Sequence, residues 1–203
     1  MERDTTKYGD EVHFNKSVDA TLSKLGYDRN ETYSKDLDAQ AFEKTPNSLS
    51  VADNTCQQVS VFDVASYILY RLGKPCSTMK LHKLLYYCQA WNLVWAEKPL
   101  FPQSIEAWAN GPVIRELFNY HKGLYELTYN SFLPGNKDKL SKEQKDNVDI
   151  VLQSYGSKSA QWLVEQTHLE SPWINARKGL APSQRGYNKI QLDDMVNYYS
   201  SLK

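Results

Sequence analysis

The chain has 203 residues, of which 41% are hydrophobic and 12% aromatic, so it is long enough to bury a substantial core in one domain with an extension or in two small domains. Its 24 basic and 24 acidic side chains cancel. Because phosphate contacts supply most of the affinity of nucleic-acid-binding domains, this balance does not favour nucleic acid as a partner.

Membrane, secretion and disulfide signals are absent from the sequence. No run of about 18 apolar residues is present, so we expect no membrane span. The charged start, from Met1 to Lys7, has no apolar segment behind it and argues against a standard secretory signal. The three cysteines, Cys56, Cys76 and Cys88, form no CxxC pair, which argues against a disulfide framework and a structural zinc site. We therefore expect a cytoplasmic protein in which Cys88 is a small buried residue.

The composition changes near residue 58. Residues 1–58 hold 11 acidic and 7 basic side chains, whereas residues 59–203 hold 13 acidic and 17 basic ones and all five tryptophans. The first region has few aromatic residues and can bury little surface by itself. These differences predict a short helical N-terminal extension with a linker over 1–58, followed by a helical domain over 59–203.

The extension has helical periodicity of its own. Phe14, Val18 and Leu22 recur at helical spacing, and Gly26 follows as a stop. A second short helix is predicted over 36–44. One interpretation is a helical arm packed on the main domain, and the other is a segment that binds a partner and orders on contact.

The clearest helices begin the second region. Ser60 with Asp63 forms a capping-box pattern, and the apolar stripe that follows ends at Gly73. The next helix is predicted from Ser77 or Thr78 to about residue 95. Its apolar residues cover nearly all sides, which is typical of a central helix.

A short β element is predicted after this helix. Residues 105–108 form a candidate strand, and residues 127–129 are its candidate partner. Asn110 and Gly111 indicate a turn. Pro112 suits the first turn of a new helix, which would carry Val113 and end near Gly123.

The remaining pattern is helical. Ser141 with Gln144 forms a second capping box, Ser157 or Ser159 opens the next helix, and Pro172 is predicted to halt it. A last amphipathic helix follows over about 192–199. The predicted fold class is mainly α, a compact multi-helix domain with a small β element.

The sequence contains none of the common catalytic, phosphate-binding, dinucleotide-binding, zinc-protease or calcium-loop motifs. We therefore expect no catalytic, cofactor-binding or metal-binding residues and no enzyme activity. His168 and Glu170 are a candidate acid–base pair, but residues two apart on a helix do not face each other. The favoured interpretation is that His168 caps or braces a helix end, with Trp173 packed beneath the loop. Asp193 and Asp194 fit a helix start better than a metal site.

A nucleic-acid-binding face is the other candidate. It would combine basic and aromatic residues, namely Lys80, Lys83, Tyr86, Arg115, Tyr120 and Lys122. The excess of four positive charges over residues 59–203 is modest, so a solvated helix face is the preferred interpretation. Five tryptophans and eleven tyrosines in the same region favour recognition of another protein, because Trp and Tyr are enriched at interface hot spots.

Several segments of the second region together resemble a known family. They are MKLHKLLYYCQAW at 79–91, KPLF at 98–101, IEAW at 105–108, NGPV at 110–113, YG at 155–156, TH at 167–168 and PW at 172–173. In order and spacing, residues 59–200 are similar to the SocA-like, or Panacea, domain of phage-associated proteins and antitoxins. The resemblance implies a mainly helical domain with a small β element that neutralises a toxin encoded beside it.

Two mechanisms are implied by this resemblance. In the first, the antitoxin binds its cognate protein toxin directly. In the second, it is an adaptor that delivers the toxin to a Clp-type protease. The candidate partner-binding residues are Phe14, Val18, Leu22, Trp108, Gly111, Pro112, Val113, Arg115, His168 and Trp173.

Overall fold

The computed structural model describes residues 58–131 and 133–202. The α-helices are α1 (Val61–Leu72), α2 (Thr78–Trp95), α3 (Arg115–His121), α4 (Lys142–Tyr155), α5 (Ala160–Leu169), α6 (Ser171–Ala176) and α7 (Leu192–Ser200). The strands are β1 (Cys76–Ser77), β2 (Ile105–Trp108), β3 (Gly111–Ile114) and β4 (Glu126–Leu127). The predicted mainly α fold with a small β element is confirmed. The predicted helix at Phe14, Val18 and Leu22 lies outside the described residues.

Serine side chains cap four helices near their predicted starts, at Ser60, Ser77, Ser141 and Ser159. The hydroxyl oxygen of Ser60 accepts from the backbone N–H of Asp63, and the Asp63 carboxylate accepts from the Ser60 backbone N–H, so both sides of the capping box form. Ser141 and Gln144 form the same arrangement at α4. Of the two candidate starts for α5, Ser159 is the N-cap. These bonds satisfy backbone donors that a helix start otherwise leaves free.

Helix α2 is the central element of the fold. Every residue from Leu81 to Val94 is buried, and α1, α4, α5, α7 and β3 all pack against it. The expectation that Lys83 lies on a solvated side of α2 is wrong: the side chain is 1% exposed because neighbouring elements surround the helix. Cys88 is buried as predicted, and burial raises the pKa of its thiol.

Strands β2 and β3 form an antiparallel hairpin in which Trp108 lies opposite Gly111. The predicted turn before Gly111 is confirmed. The prediction that Pro112 and Val113 begin a helix is wrong, because both belong to β3 and the helix begins only at Arg115.

Pro112 is tolerated in β3 although it has no N–H to donate to a neighbouring strand. Its partner across the hairpin, Ala107, donates its N–H to Asn188, and the Ala107 carbonyl oxygen accepts from Arg177. Both backbone groups of Ala107 are thus satisfied away from β3, so no donor is needed at residue 112.

The predicted partner of β2 is also wrong. Strand β4 pairs with β1, placing Leu127 opposite Cys76. The outer edge of β2 is occupied instead by residues 188–190. In addition to the bond from Ala107 to Asn188, Ile190 donates its N–H to Ile105.

The prediction that Pro172 halts the preceding helix needs correction. Helix α5 ends at Leu169, before Pro172, which lies in the first turn of α6, where the missing N–H costs no hydrogen bond. Trp108 is only half-buried, whereas Trp91 lies in the core. Among the described residues, none of the helices combines the length and apolar character needed to cross a bilayer.

Candidate functional site at the β2–β3 hairpin

Seven predicted partner-binding residues meet at the β2–β3 hairpin. Trp108 ends β2, β3 supplies three of them, Arg115 begins α3, and α5 and α6 supply one each. In chain order they are Trp108, Gly111, Pro112, Val113, Arg115, His168 and Trp173. The other three predicted residues, Phe14, Val18 and Leu22, lie outside the described part of the chain.

Glu106 anchors the outer face of the hairpin. Arg115 donates to it through Nε (2.8 Å to Oε1) and Nη2 (2.6 Å to Oε2), which is a bidentate ion pair. The indole N–H of Trp108 donates to the same carboxylate at 2.7 Å. Val113 lies opposite Glu106 across the hairpin, so it belongs to the same face. A single buried carboxylate therefore orients the Arg and Trp side chains of this face.

A third segment widens the face. Lys189 forms an antiparallel bridge with Glu106, next to the two backbone hydrogen bonds that join residues 188 and 190 to β2. The ring of Tyr187 lies 6.1 Å from Trp108, and the guanidinium of Arg115 lies 4.6 Å from the centre of the Tyr187 ring. Tyr187 is 48% exposed. No local pattern singles out Tyr187, because only the long-range pairing brings it here.

Trp173 and His168 support the hairpin from α5 and α6. The Trp173 indole N–H donates to the carbonyl oxygen of Trp108 at 3.0 Å. Its ring stacks on His168 with centroids 4.1 Å apart, which confirms the predicted bracing role. Burial lowers the pKa of His168, and the positive charges of nearby Lys83 and Arg177 lower it further. These contacts favour a neutral, packed His168.

Two α2 side chains occupy the outer edge of β3. Lys83 Nζ donates to the carbonyl oxygen of Pro112 at 3.0 Å, and His82 Nδ1 accepts from the N–H of Ile114 at 3.2 Å. Burial lowers the pKa of Lys83 to about 7. The hairpin is thus fixed to the central helix through its backbone, which holds the outer face in one geometry.

Gly111 makes this close approach possible. Its φ is +92°, a conformation that side chains rarely adopt. A Cβ atom there would lie 2.5 Å from Lys83 Cε and 2.9 Å from Thr167 Oγ1. Glycine is therefore required twice, once by the backbone conformation and once by the packing.

His82 continues into a buried histidine pair. Because its Nδ1 accepts from Ile114, neutral His82 carries its proton on Nε2, which lies 2.9 Å from His121 Nε2. Burial, followed by Lys83 and His121, holds the pKa of His82 well below its usual value, and burial also lowers the pKa of His121. The pair is therefore neutral in the folded protein.

Glu170, the other residue of the candidate acid–base pair, belongs to a cluster of buried tyrosines. Its carboxylate accepts from the phenols of Tyr86 (2.9 Å), Tyr87 (2.9 Å) and Tyr199 (2.7 Å), all of them buried. It joins α2, the start of α6 and α7. Sequence reasoning missed this cluster because its members are 84, 83 and 29 residues from Glu170.

The candidate nucleic-acid face does not form. Lys83 and Tyr86 are buried, and Lys80 Nζ donates to the carbonyl oxygens of Gly156 (2.8 Å) and Lys158 (2.6 Å). The alternative interpretation, a solvated helix face, is wrong for Lys83 as well. In a separate region, Asp193 and Asp194 lie in the first turn of α7 as predicted.

Comparison with known proteins finds a match to a family model. Residues 81–174 match the family model described as "Antitoxin SocA-like, Panacea domain". The matched range contains the hairpin, Lys83 and Glu170, while α1 and α7 lie outside it. Among curated proteins and solved structures, none matches this chain. No three His, Cys, Asp or Glu side chains in the described ranges are grouped so as to hold a metal ion. The match covers 94 of the 203 residues, and over this range the chain is similar to the Panacea domain of SocA-like antitoxins.

Proposed function

We propose that this protein is the antitoxin of a toxin–antitoxin pair and that it neutralises a cognate protein toxin by direct binding, without catalysis. The observation that carries the proposal is the outer face of the hairpin, defined by Glu106, Trp108, Val113, Arg115 and Tyr187. Trp, Tyr and Arg are the residues most enriched at the energetic centres of protein interfaces. Here they are partly exposed, and one carboxylate orients the Trp and Arg side chains.

The rigidity of this face suits a binding protein. Lys83 and Trp173 fix the hairpin backbone from two sides, and Arg115 is held by two hydrogen bonds. A surface that is already ordered loses less conformational entropy when a partner binds, so more of the contact energy contributes to affinity.

The side chains that suggested catalysis have packing roles. His168 is stacked on Trp173, and Glu170 accepts three phenol hydrogen bonds. Neither is arranged to exchange a proton with the other. These contacts support binding over catalysis.

The proposal is tested by co-expressing the chain with the adjacent reading frame, the candidate toxin, in a host that lacks Clp-type proteases. We expect rescue of growth and a complex that co-elutes in size-exclusion chromatography. Rescue that requires the protease would instead support an adaptor. Toxicity without rescue in either host would contradict the antitoxin proposal.

The proposed surface is tested by a matched pair of exposed tyrosines. Tyr187→Ala removes a ring from the hairpin face, whereas Tyr125→Ala removes one that is 81% exposed beside β4. We expect Tyr187→Ala to weaken the complex about tenfold or more, as truncation of an interface aromatic often does, and Tyr125→Ala to leave it unchanged. Equal effects would place the interface elsewhere.

The N-terminal residues form a separate part of the proposal. Phe14, Val18 and Leu22 would add a second contact with the toxin. Replacing all three by Ser should weaken the complex without lowering the thermal stability of the helical domain. An unchanged complex would remove them from the interface.

A further inference from the structure

The segment from Arg177 to Ile190 connects α6 to α7, and all its charged residues are basic. It contains Arg177, Lys178, Arg185 and Lys189 and no acidic residue. Arg177 is buried, and its guanidinium donates to four carbonyl oxygens, those of Ala107, Ala181, Pro182 and Gln184. The other three basic residues are exposed. They therefore add positive charge to the surface.

Part of this segment, residues 185–189, runs beside β2, and every residue in it except Gly186 is exposed. Arg185, Tyr187 and Lys189 are exposed. Between them, Gly186 is buried, whereas Asn188 is exposed and its side-chain amide donates to the carbonyl oxygen of Ala176 at the end of α6. Successive side chains of an extended segment point to opposite sides. We name Arg185, Tyr187 and Lys189, which occupy alternate positions of this stretch, the basic strip.

The basic strip adjoins the proposed toxin-binding face and shares Tyr187 with it. Lys189 is the bridge partner of Glu106, and Tyr187 contacts the guanidinium of Arg115. Gly186 packs so closely on β2 that a Cβ atom would lie 2.8 Å from the Ala107 carbonyl oxygen. The strip is thus fixed to the hairpin.

The charges on this surface do not cancel. Glu106 is neutralised by Arg115 through two hydrogen bonds, so that pair contributes no net charge. Arg185 and Lys189, with Lys178 at the start of the same segment, leave a positive excess. Exposed acids lie on α3 and on α7, but the strip itself contains none.

We propose that the basic strip, together with the hairpin face, docks an acidic stretch of a partner polypeptide. This inference rests on the proposed antitoxin function and names the chemistry of the toxin surface that the antitoxin covers. Complementary charge of this kind steers association and selects partners more than it sets the final affinity. The strip supplies the steering charge, and the rings beside it supply apolar contact.

Protein fits this surface better than nucleic acid does. The guanidinium of Arg115 already lies on the ring of Tyr187, so that side of the ring is not open for stacking on a base. The chain as a whole has no net charge. Lys80 and Lys83, which would extend a phosphate-binding surface, donate to backbone carbonyls of their own chain.

The test uses the purified full-length chain and the product of the adjacent reading frame. The variant Arg185→Glu with Lys189→Glu reverses the charge of the strip. The control, Lys74→Glu with Lys142→Glu, makes the same change of charge at exposed lysines elsewhere. Circular dichroism checks that both variants fold.

We expect the strip variant to lower the association rate constant by about tenfold or more at low salt, and the control to change it by less than about twofold. The wild-type rate should fall as salt is raised from about 50 to 300 mM, and the strip variant should lose most of that dependence. An acidic partner surface predicts both effects together.

The outcomes separate the two proposals. If the wild-type complex forms and rescues growth but the strip variant binds like the control, the acidic-partner inference is wrong and the antitoxin proposal stands. If no complex and no rescue occur, both are wrong. The inference would also be overturned if a labelled single-stranded or double-stranded nucleic acid bound in a way that depends on the basic strip. Cross-links from Lys189 to the chain's own residues 1–57 would overturn it as well.

Discussion

The amine of Lys83 lies 3.0 Å from the carbonyl oxygen of Pro112, inside the protein and 1% exposed. This bond joins the central helix to the hairpin strand whose sequence also suits a helix start. Because burial lowers the pKa of Lys83 to about 7, the amine is largely neutral above that pH and still donates its hydrogen bond.

The lowered pKa predicts a pH dependence of stability. Between pH 7 and the usual Lys value of 10.5, the unfolded chain binds more protons than the folded one, so the free energy of unfolding should rise with pH. From pH 7 to 9 the rise due to Lys83 is about 2 kcal/mol. Lys83→Met should remove it in urea titrations, whereas Lys74→Met at an exposed site should keep it. Parallel pH profiles for Lys83→Met and the wild type would contradict this.

Two glycines allow strain and packing to be separated. Gly111 and Gly123 have nearly the same φ, +92° and +91°, but only at Gly111 would an added Cβ atom meet other atoms of the protein within 4 Å. Gly123→Ala should cost about 1 kcal/mol of stability from backbone strain alone, and Gly111→Ala about 2 kcal/mol more. Chemical denaturation measures both. Equal losses would show that the contact with Lys83 and Thr167 is unimportant.

The Glu170 cluster should be sensitive to a change of one atom. Glu170→Gln replaces an acceptor oxygen by an NH2 donor that faces phenol donors, so buried groups lose their partners. We expect a loss of about 2–4 kcal/mol in the free energy of unfolding. Glu165→Gln, on the exposed side of α5, should cost less than about 0.5 kcal/mol. A small loss for Glu170→Gln would mean that the three tyrosines bind it weakly.

The buried histidine pair predicts loss of stability in acid. Because the pKa of His82 and that of His121 are lowered in the folded state, the unfolded chain binds more protons below about pH 6.5. The free energy of unfolding should therefore fall by up to about 1.4 kcal/mol per pH unit for each histidine. His121→Gln, which keeps an acceptor for His82, should reduce this slope by about half. An unchanged slope would assign the effect to other groups.

Local signals predict the helices well and the hairpin only in part. Ser60, Ser141 and Ser159 cap helices through bonds that span three residues, and such patterns are visible in sequence. Pro112 is misassigned from sequence because Asn-Gly-Pro is compatible with both a helix start and a strand edge. In the folded chain its place is held by Lys83, 29 residues away.

The same distinction applies to the candidate site. Trp108, Arg115, His168 and Trp173 are predicted from residue type and from their place in the family pattern, and the structure brings them together. Tyr187 is missed because its neighbours are set by the pairing of residues 188–190 with β2. Side chains that gain their role from long-range contacts carry no local signature.

The hairpin has partners along both of its sides. Lys83 and His82 form hydrogen bonds with backbone groups of β3, and residues 188–190 form them with backbone groups of β2. An incoming strand would find no free row of donors and acceptors on which to polymerise. This arrangement protects the hairpin from sheet-mediated self-aggregation, and under the proposed function it leaves side-chain shape and charge to discriminate among partner polypeptides.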